Sequence, residues 1–151
     1  MVVETSASSL SGDAGLLVVR EFDEQVGLTA DFAAAIADTR DPVFTQHSLL
    51  AMVRQRVYGL LADYEDQNDH EQLRSDPVFK RIADRLPDDP DLASQPTLSR
   101  FENAVLIPDL KRLRERLVAQ CLDAFAEPPA RITLDVDAVD RRGRMIAARS
   151  R

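Results

Sequence analysis

Cysteine, histidine and glycine are scarce in this chain of 151 residues, and each scarcity removes a class of function. Cys121 is the sole cysteine, which excludes an intramolecular disulfide and any multi-cysteine zinc cluster and fits a reducing compartment. His47 and His70 are the two histidines; neither has a second histidine at the i+4 spacing of a helical zinc site. There is no glycine-rich phosphate loop and no Ser-His-Asp pattern for covalent catalysis. No charged-then-apolar leader opens the sequence and no apolar run approaches the ~20 residues of a membrane span. These absences predict a cytoplasmic protein without a membrane partner.

What is present suits one globular domain. Hydrophobic residues make up 44% and charged residues 30%, enough for a core and a solvated surface. The net charge of −7 divides unevenly. The last eleven residues hold Arg141, Arg142, Arg144, Arg149 and Arg151 and no acid, so the body has 14 basic and 26 acidic side chains, a balance of −12. So acidic a body speaks against nucleic-acid binding, which rests on Lys and Arg neutralising phosphates.

Periodicity predicts a mainly α-helical fold. After a Ser-rich arm over 1–13, a helical domain spans 14–126. Its first helix carries Leu16, Val19, Phe22, Asp23 and Val26, with Gly27 as a left-handed C-terminal cap. Thr29 caps a short helix over 30–38 whose stripe is Phe32, Ala33 and Ile36. The clearest helix is 47–64: Leu49, Leu50, Val53, Val57, Leu60, Leu61 and Tyr64 face the core, and Arg54, Gln55 and Arg56 share the other side. A segment to about Arg85, restarted near Asp76-Pro77, turns Val78, Phe79 and Ile82 inward. After a Pro-Asp loop, Ser94 and Pro96 start a helix through Leu98, Phe101 and Val105. Pro108 then opens a long helix to about Phe125, striped by Leu110, Leu113, Leu117, Cys121 and Phe125.

The β-branched run Arg131-Ile-Thr-Leu-Asp-Val-Asp-Ala-Val predicts a strand over 131–140. A lone strand cannot satisfy its own backbone, so this one is expected to pair with a segment not in this sequence, with another copy, or not at all. The basic stretch 141–151 has no stripe and is expected to be disordered. On the strand, Asp135 and Asp137 share a face, with Asp140 close behind. Paired carboxylates at a strand end are the usual way to hold Mg²⁺ for phosphoryl transfer, although on spacing alone a solvated strand end is the more frequent explanation of such a pair. His47 reads as a capping or surface residue, Asp69-His70-Glu71 as a solvated helix start, and Cys121 as core packing. Arg100, Lys111, Arg112, Arg114 and Arg116 cluster on two successive helices, balanced by Glu102 and Glu115 as a solvated face would be.

Three strings occur in order that together resemble transposases of the thirteen-eighty family of bacterial insertion sequences. They are Ser11-Gly-Asp-Ala-Gly-Leu-Leu-Val-Val-Arg-Glu; Arg54-Gln-Arg-Val-Tyr-Gly-Leu followed by Tyr64-Glu-Asp-Gln-Asn-Asp-His; and Leu92-Ala-Ser-Gln-Pro-Thr-Leu-Ser-Arg-Phe-Glu-Asn. Leu134-Asp-Val-Asp-Ala-Val-Asp then follows the family's Leu-Asp-x-Asp-Ala-Thr-Asp, and the resemblance, roughly from residue 10, ends at Asp140.

The resemblance implies that 131–140 is the first strand of a ribonuclease-H-like catalytic domain of the DDE type. Asp137, with Asp135 as the alternative, would join a later aspartate and glutamate to bind two Mg²⁺ ions for DNA strand cleavage and transfer. No acid follows Asp140, so the chain is expected to be a truncated transposase with no activity of its own and no tightly bound metal. The helical region would engage transposon-end DNA, with Arg100, Lys111, Arg112 and Arg114 on phosphates. The alternative expectation is a non-enzymatic regulator or interaction module that binds transposon ends, the full-length transposase or a second copy of itself.

Overall fold

A computed structural model describes residues 11–127 and 129–133, together with the backbone of Ala138–Val139 and Met145–Ile146. The protein is mainly α-helical, with seven α-helices among the described residues: α1 Leu16–Val26, α2 Leu28–Ala35, α3 Leu49–Leu61, α4 His70–Leu73, α5 Pro77–Ile82, α6 Gln95–Ala104 and α7 Ile107–Asp123. Short 3₁₀ turns lie at Pro42–Phe44 and Gln67–Asp69.

Local chemistry sets most boundaries. Gly27 ends α1 at φ 72° and hands the chain directly to α2, a backbone state that costs glycine nothing. Ser48 caps α3 by accepting from the Ala51 amide at 3.1 Å. Asp76 caps α5 through the Val78 and Phe79 amides at 2.8 and 3.1 Å, with Pro77 in the first turn. Asp109 closes the start of α7 by accepting from the Leu106 amide at 2.8 Å.

α3 is the central element, packed on α2 and α5; α1 lies against α5, and α7 lies against α2. The main core joins Leu16, Tyr58, Leu73, Val78, Phe79, Ile82, Ala83 and Leu92, and a smaller cluster joins Met52, Ala93 and Leu98. Val78, Phe79 and Ile82 point inward as their spacing predicts. The Leu86–Ser94 loop is pinned by buried polar side chains: Lys80 donates to the carbonyls of Pro87 and Asp89 at 3.1 and 2.8 Å, and Gln55 donates to Ala93 at 2.9 Å.

Two helices turn only part of their predicted apolar stripes inward: Leu16 and Asp23 of α1 and Val53 of α3 are buried, and Leu49 and Tyr64 pack on the core. In α1 the buried residues are Leu16, Arg20 and Asp23, and Val19, Phe22 and Val26 are exposed. In α3 Met52, Val53, Arg54, Gln55, Tyr58 and Gly59 are buried, and Leu60 and Leu61 are exposed. The cause is a polar seam that only the tertiary fold assembles. Arg20 donates to the Ile82 carbonyl at 3.1 Å and to Asp84 at 3.0 Å; Arg54 pairs with the same Asp84 and donates to Thr29 Oγ1 at 3.3 Å. Asp23 accepts from the Thr29 amide at 2.9 Å and from its hydroxyl. Buried polar groups are tolerated when so satisfied.

The predicted strand is described only in part. Arg131–Thr133 carry no strand pairing, whereas Ala138–Val139 pair antiparallel with Met145–Ile146, Ala138 opposite Ile146. A partner from within 141–151 was not expected for that strand.

Candidate functional site

Asp135 and Asp137 lie outside the described residues. Among the described residues no group of three or more His, Cys, Asp or Glu is placed to hold a metal ion. The chemistry assigned to the two aspartates rests on the sequence alone.

The basic residues divide into engaged and open ones. Arg112 is held: its Nε donates to the Ala35 carbonyl at 2.7 Å and its guanidinium pairs with Asp109, which also accepts from the Ala37 amide at 3.0 Å. That assembly ties α7 to the end of α2. Arg20, Arg40, Arg54, Arg56, Arg74 and Lys80 are paired with acids, and Arg85 donates to the Pro90 and Asp91 carbonyls. Arg100, on α6, is exposed and among the described residues donates only to Thr97 Oγ1, at 3.3 Å. Lys111, Arg114 and Arg116, on α7, are exposed and make no ion pair among the described residues. Lys111 and Arg114 are three apart and neighbours on the helix surface.

Three expectations for single residues are corrected. His70 is fully buried, not part of a solvated helix start. His47 is buried too, with Nδ1 at 3.3 Å from Arg85 Nη2. Burial first, then the nearby charges of Arg85, Arg74 and Arg40, lower its pKa. Cys121 is exposed, because α7 meets α2 through Asp109, Arg112 and Gln120 and leaves much of its apolar stripe outside.

His70 belongs to a knot whose members come from the second and third of the strings quoted above. Arg56 Nη1 donates to His70 Nε2 at 3.1 Å, which places the ring hydrogen on Nδ1. Arg56 also pairs with Glu102 and donates to the Glu65 carbonyl at 3.3 Å, and Gln67 donates to the other oxygen of Glu102. The imidazole lies close against Gly59, where a Cβ would stand 2.7 Å from His70 Cε1. Burial, then Arg56, pushes the His70 pKa down to about 4, so the ring is neutral at pH 7. The first string joins nearby: Tyr64 Oη donates to Asp13 at 3.1 Å, and the Tyr64 ring meets Phe79 edge-on at 6.3 Å. The knot joins α3, the Gln67–Asp69 turn, α4 and α6 into one body. Sequence reading missed it; the signal was that Arg56, Gly59, Gln67, His70 and Glu102 all sit in strings that carry the resemblance.

Above α6, two adjoining clefts share Arg40, Thr97 and Arg100. One of about 260 Å³ is floored by Leu49, Met52 and Phe101. The other, of about 310 Å³, is bordered by Phe44, Thr45 and His47.

Comparison with curated proteins and with solved structures finds no match. The family model described as transposase DDE domain group 1 matches residues 1–142, which takes in every described helix, the knot and both candidate aspartates. The chain belongs to the DDE transposases.

Proposed function

We propose that this chain is the amino-terminal helical region of a transposase of the thirteen-eighty family, that it holds transposon-end DNA, and that it is catalytically incomplete. Asp137, with Asp135 as the alternative, is the first of the metal-binding carboxylates. The remaining acids are not among residues 141–151, so they must come from another segment of polypeptide. When bound, magnesium would activate the attacking oxygen and stabilise the leaving one; this chain's part is to hold one carboxylate and to position DNA beside it.

One observation carries the DNA reading. Apart from Arg81 and Arg131, the cations that make neither an ion pair nor a hydrogen bond to a carbonyl among the described residues are Arg100, Lys111, Arg114 and Arg116, all on α6 and α7. Arg112, also expected on phosphates, is already held by Ala35 and Asp109 and contributes less. Fluorescence anisotropy with a duplex carrying the terminal inverted repeat from DNA flanking the gene tests this. Replacing Arg100, Lys111 and Arg114 by Ala lowers the slope of log affinity against log salt by about 0.9 for each phosphate that a replaced side chain had neutralised. No binding at low salt, or an unchanged slope, removes the reading. With Mg²⁺ and the same duplex, the chain alone yields no strand-transfer product; any product would show that the carboxylate set is complete.

A second reading, a regulator that associates with full-length transposase, is favoured by the apolar residues exposed on α1 and α7: Val18, Phe22, Leu117, Val118 and Leu122. Excess chain added to a strand-transfer reaction of the full-length enzyme then inhibits it, including with end DNA in surplus.

A further inference from the structure

The 3₁₀ turn Pro42–Phe44 carries the two most exposed of the large exposed hydrophobic side chains, Val43 at 83% and Phe44 at 86%. Scattered apolar residues on a surface need no explanation, but these are adjacent and held outward. Asp41 accepts from the Val43 amide at 2.9 Å through its side chain and from the Phe44 amide at 3.1 Å through its carbonyl. Thr45 closes the turn from the other side, its hydroxyl donating to the Asp41 carbonyl at 2.7 Å and its amide to Pro42 at 3.3 Å. Proline at the turn's first position removes further backbone freedom. The turn is a hydrogen-bonded mount with an apolar tip.

Its surroundings point to the ligand. Phe44, Thr45, Gln46, Thr97 and Arg100 border one cleft of about 310 Å³. Arg40, which also borders it, is neutralised by a two-point contact with Asp38, both bonds 2.7 Å, and is anchored to the His47 carbonyl at 3.0 Å. Arg100 is the cation left with no acid among the described residues. A planar aromatic face, hydroxyl and amide groups and one open guanidinium within a single cleft suit a base together with its phosphate: π-stacking takes the base, and Arg takes the charge.

We propose that Pro42–Phe44 is a DNA wedge, Phe44 stacking on a base that is unstacked or unpaired at the transposon end, with Val43 beside it and Arg100 on the neighbouring phosphate. This rests on the reading that the chain binds end DNA and adds where the helix is opened. Apolar wedges of this type partly unstack a base step and bend the duplex.

The experiment uses the 151-residue chain and a set of inverted-repeat duplexes in which 2-aminopurine replaces one base at a time. Wild type is expected to raise the fluorescence at one position or two adjacent ones, the mark of an unstacked base. Phe44→Ala abolishes that rise and weakens binding by about 5- to 150-fold, without shifting the thermal midpoint, because the side chain is exposed. Arg100→Ala lowers the salt slope by about 1. Binding by wild type with no fluorescence rise, or with a rise that Phe44→Ala leaves intact, overturns the wedge while DNA binding stands. No binding at all at low salt overturns both. Loss of association between the chain and full-length transposase in Phe44→Ala, with the fluorescence unchanged, makes the turn a protein contact and overturns the wedge as well.

Discussion

At the scale of single residues, Gly59 and His70 depend on each other. A glycine inside a helix normally costs about 1 kcal/mol relative to alanine, so Gly59→Ala should stabilise α3 if nothing else changed. The added Cβ would stand 2.7 and 2.9 Å from two atoms of a ring that is fully buried and held by Arg56. Overpacking of that kind costs roughly 1–3 kcal/mol and outweighs the propensity gain, so urea denaturation of Gly59→Ala should show a net loss. A gain would show that the ring can move aside.

His70 also gives the fold a pH dependence with a definite sign. Its folded pKa, about 4, lies below the ordinary histidine value of 6.5, so the unfolded chain takes up the proton first. The stability from this site is fully present above pH 6.5 and is lost as pH falls towards 4, on the order of 3 kcal/mol in all. His47, also lowered, acts in the same direction. The urea midpoint should therefore fall between pH 6.5 and 4, and His70→Gln should flatten but not erase the slope. Asp38, lowered by its hydrogen bond to Arg40, and Asp109, lowered by the Ala37 and Leu106 amides, lose their contribution only below about pH 5, so the histidine slope is read above that. An unchanged slope in His70→Gln would place the titration elsewhere.

Among the elements, α7 packs on α2 and is joined to it by a few hydrogen bonds across the sequence. Asp109, Arg112 and Gln120 tie it to the α1–α2 segment through the Ala37 amide and the carbonyls of Ala35 and Val26. Asp109→Ala leaves two amides without their acceptor, and limited proteolysis should then cut the α6–α7 junction near Leu106 several-fold faster, with the knot around His70 still folded. Equal cleavage rates would mean that packing alone keeps α7 in place. Gly27, Asp76-Pro77, Pro96 and Pro108 made the helix positions legible, because caps and breakers act within a few residues. The faces were less legible. Arg20 and Arg54 are buried because Asp84 and the Ile82 carbonyl lie at their ends, partners 30 to 64 residues away that no helical period can reveal. The site followed the same rule. Arg100, Lys111 and Arg114 stayed where surface chemistry puts them, whereas Arg112 found the Ala35 carbonyl 77 residues back in the chain.

For the whole molecule, charge and apolar surface favour different partners. A body of −12 repels DNA, so any end binding must be local to the open cations of α6 and α7 and to the five arginines of 141–151, and it must weaken steeply with salt. The apolar faces carry no such penalty. Phe22 is 61% exposed on α1 and Leu117 54% exposed on α7, each among apolar neighbours that remain outside; patches of this kind mark interaction surfaces. Replacing both by Asp removes apolar area without touching the core, so the denaturation midpoint should stay within about 0.5 kcal/mol of wild type. Mixed with full-length transposase, the wild-type chain should elute as a complex in size-exclusion chromatography with light scattering and the double variant should not. Co-elution of both would place the contact on another surface, and co-elution of neither would leave DNA as the contact through which this region acts.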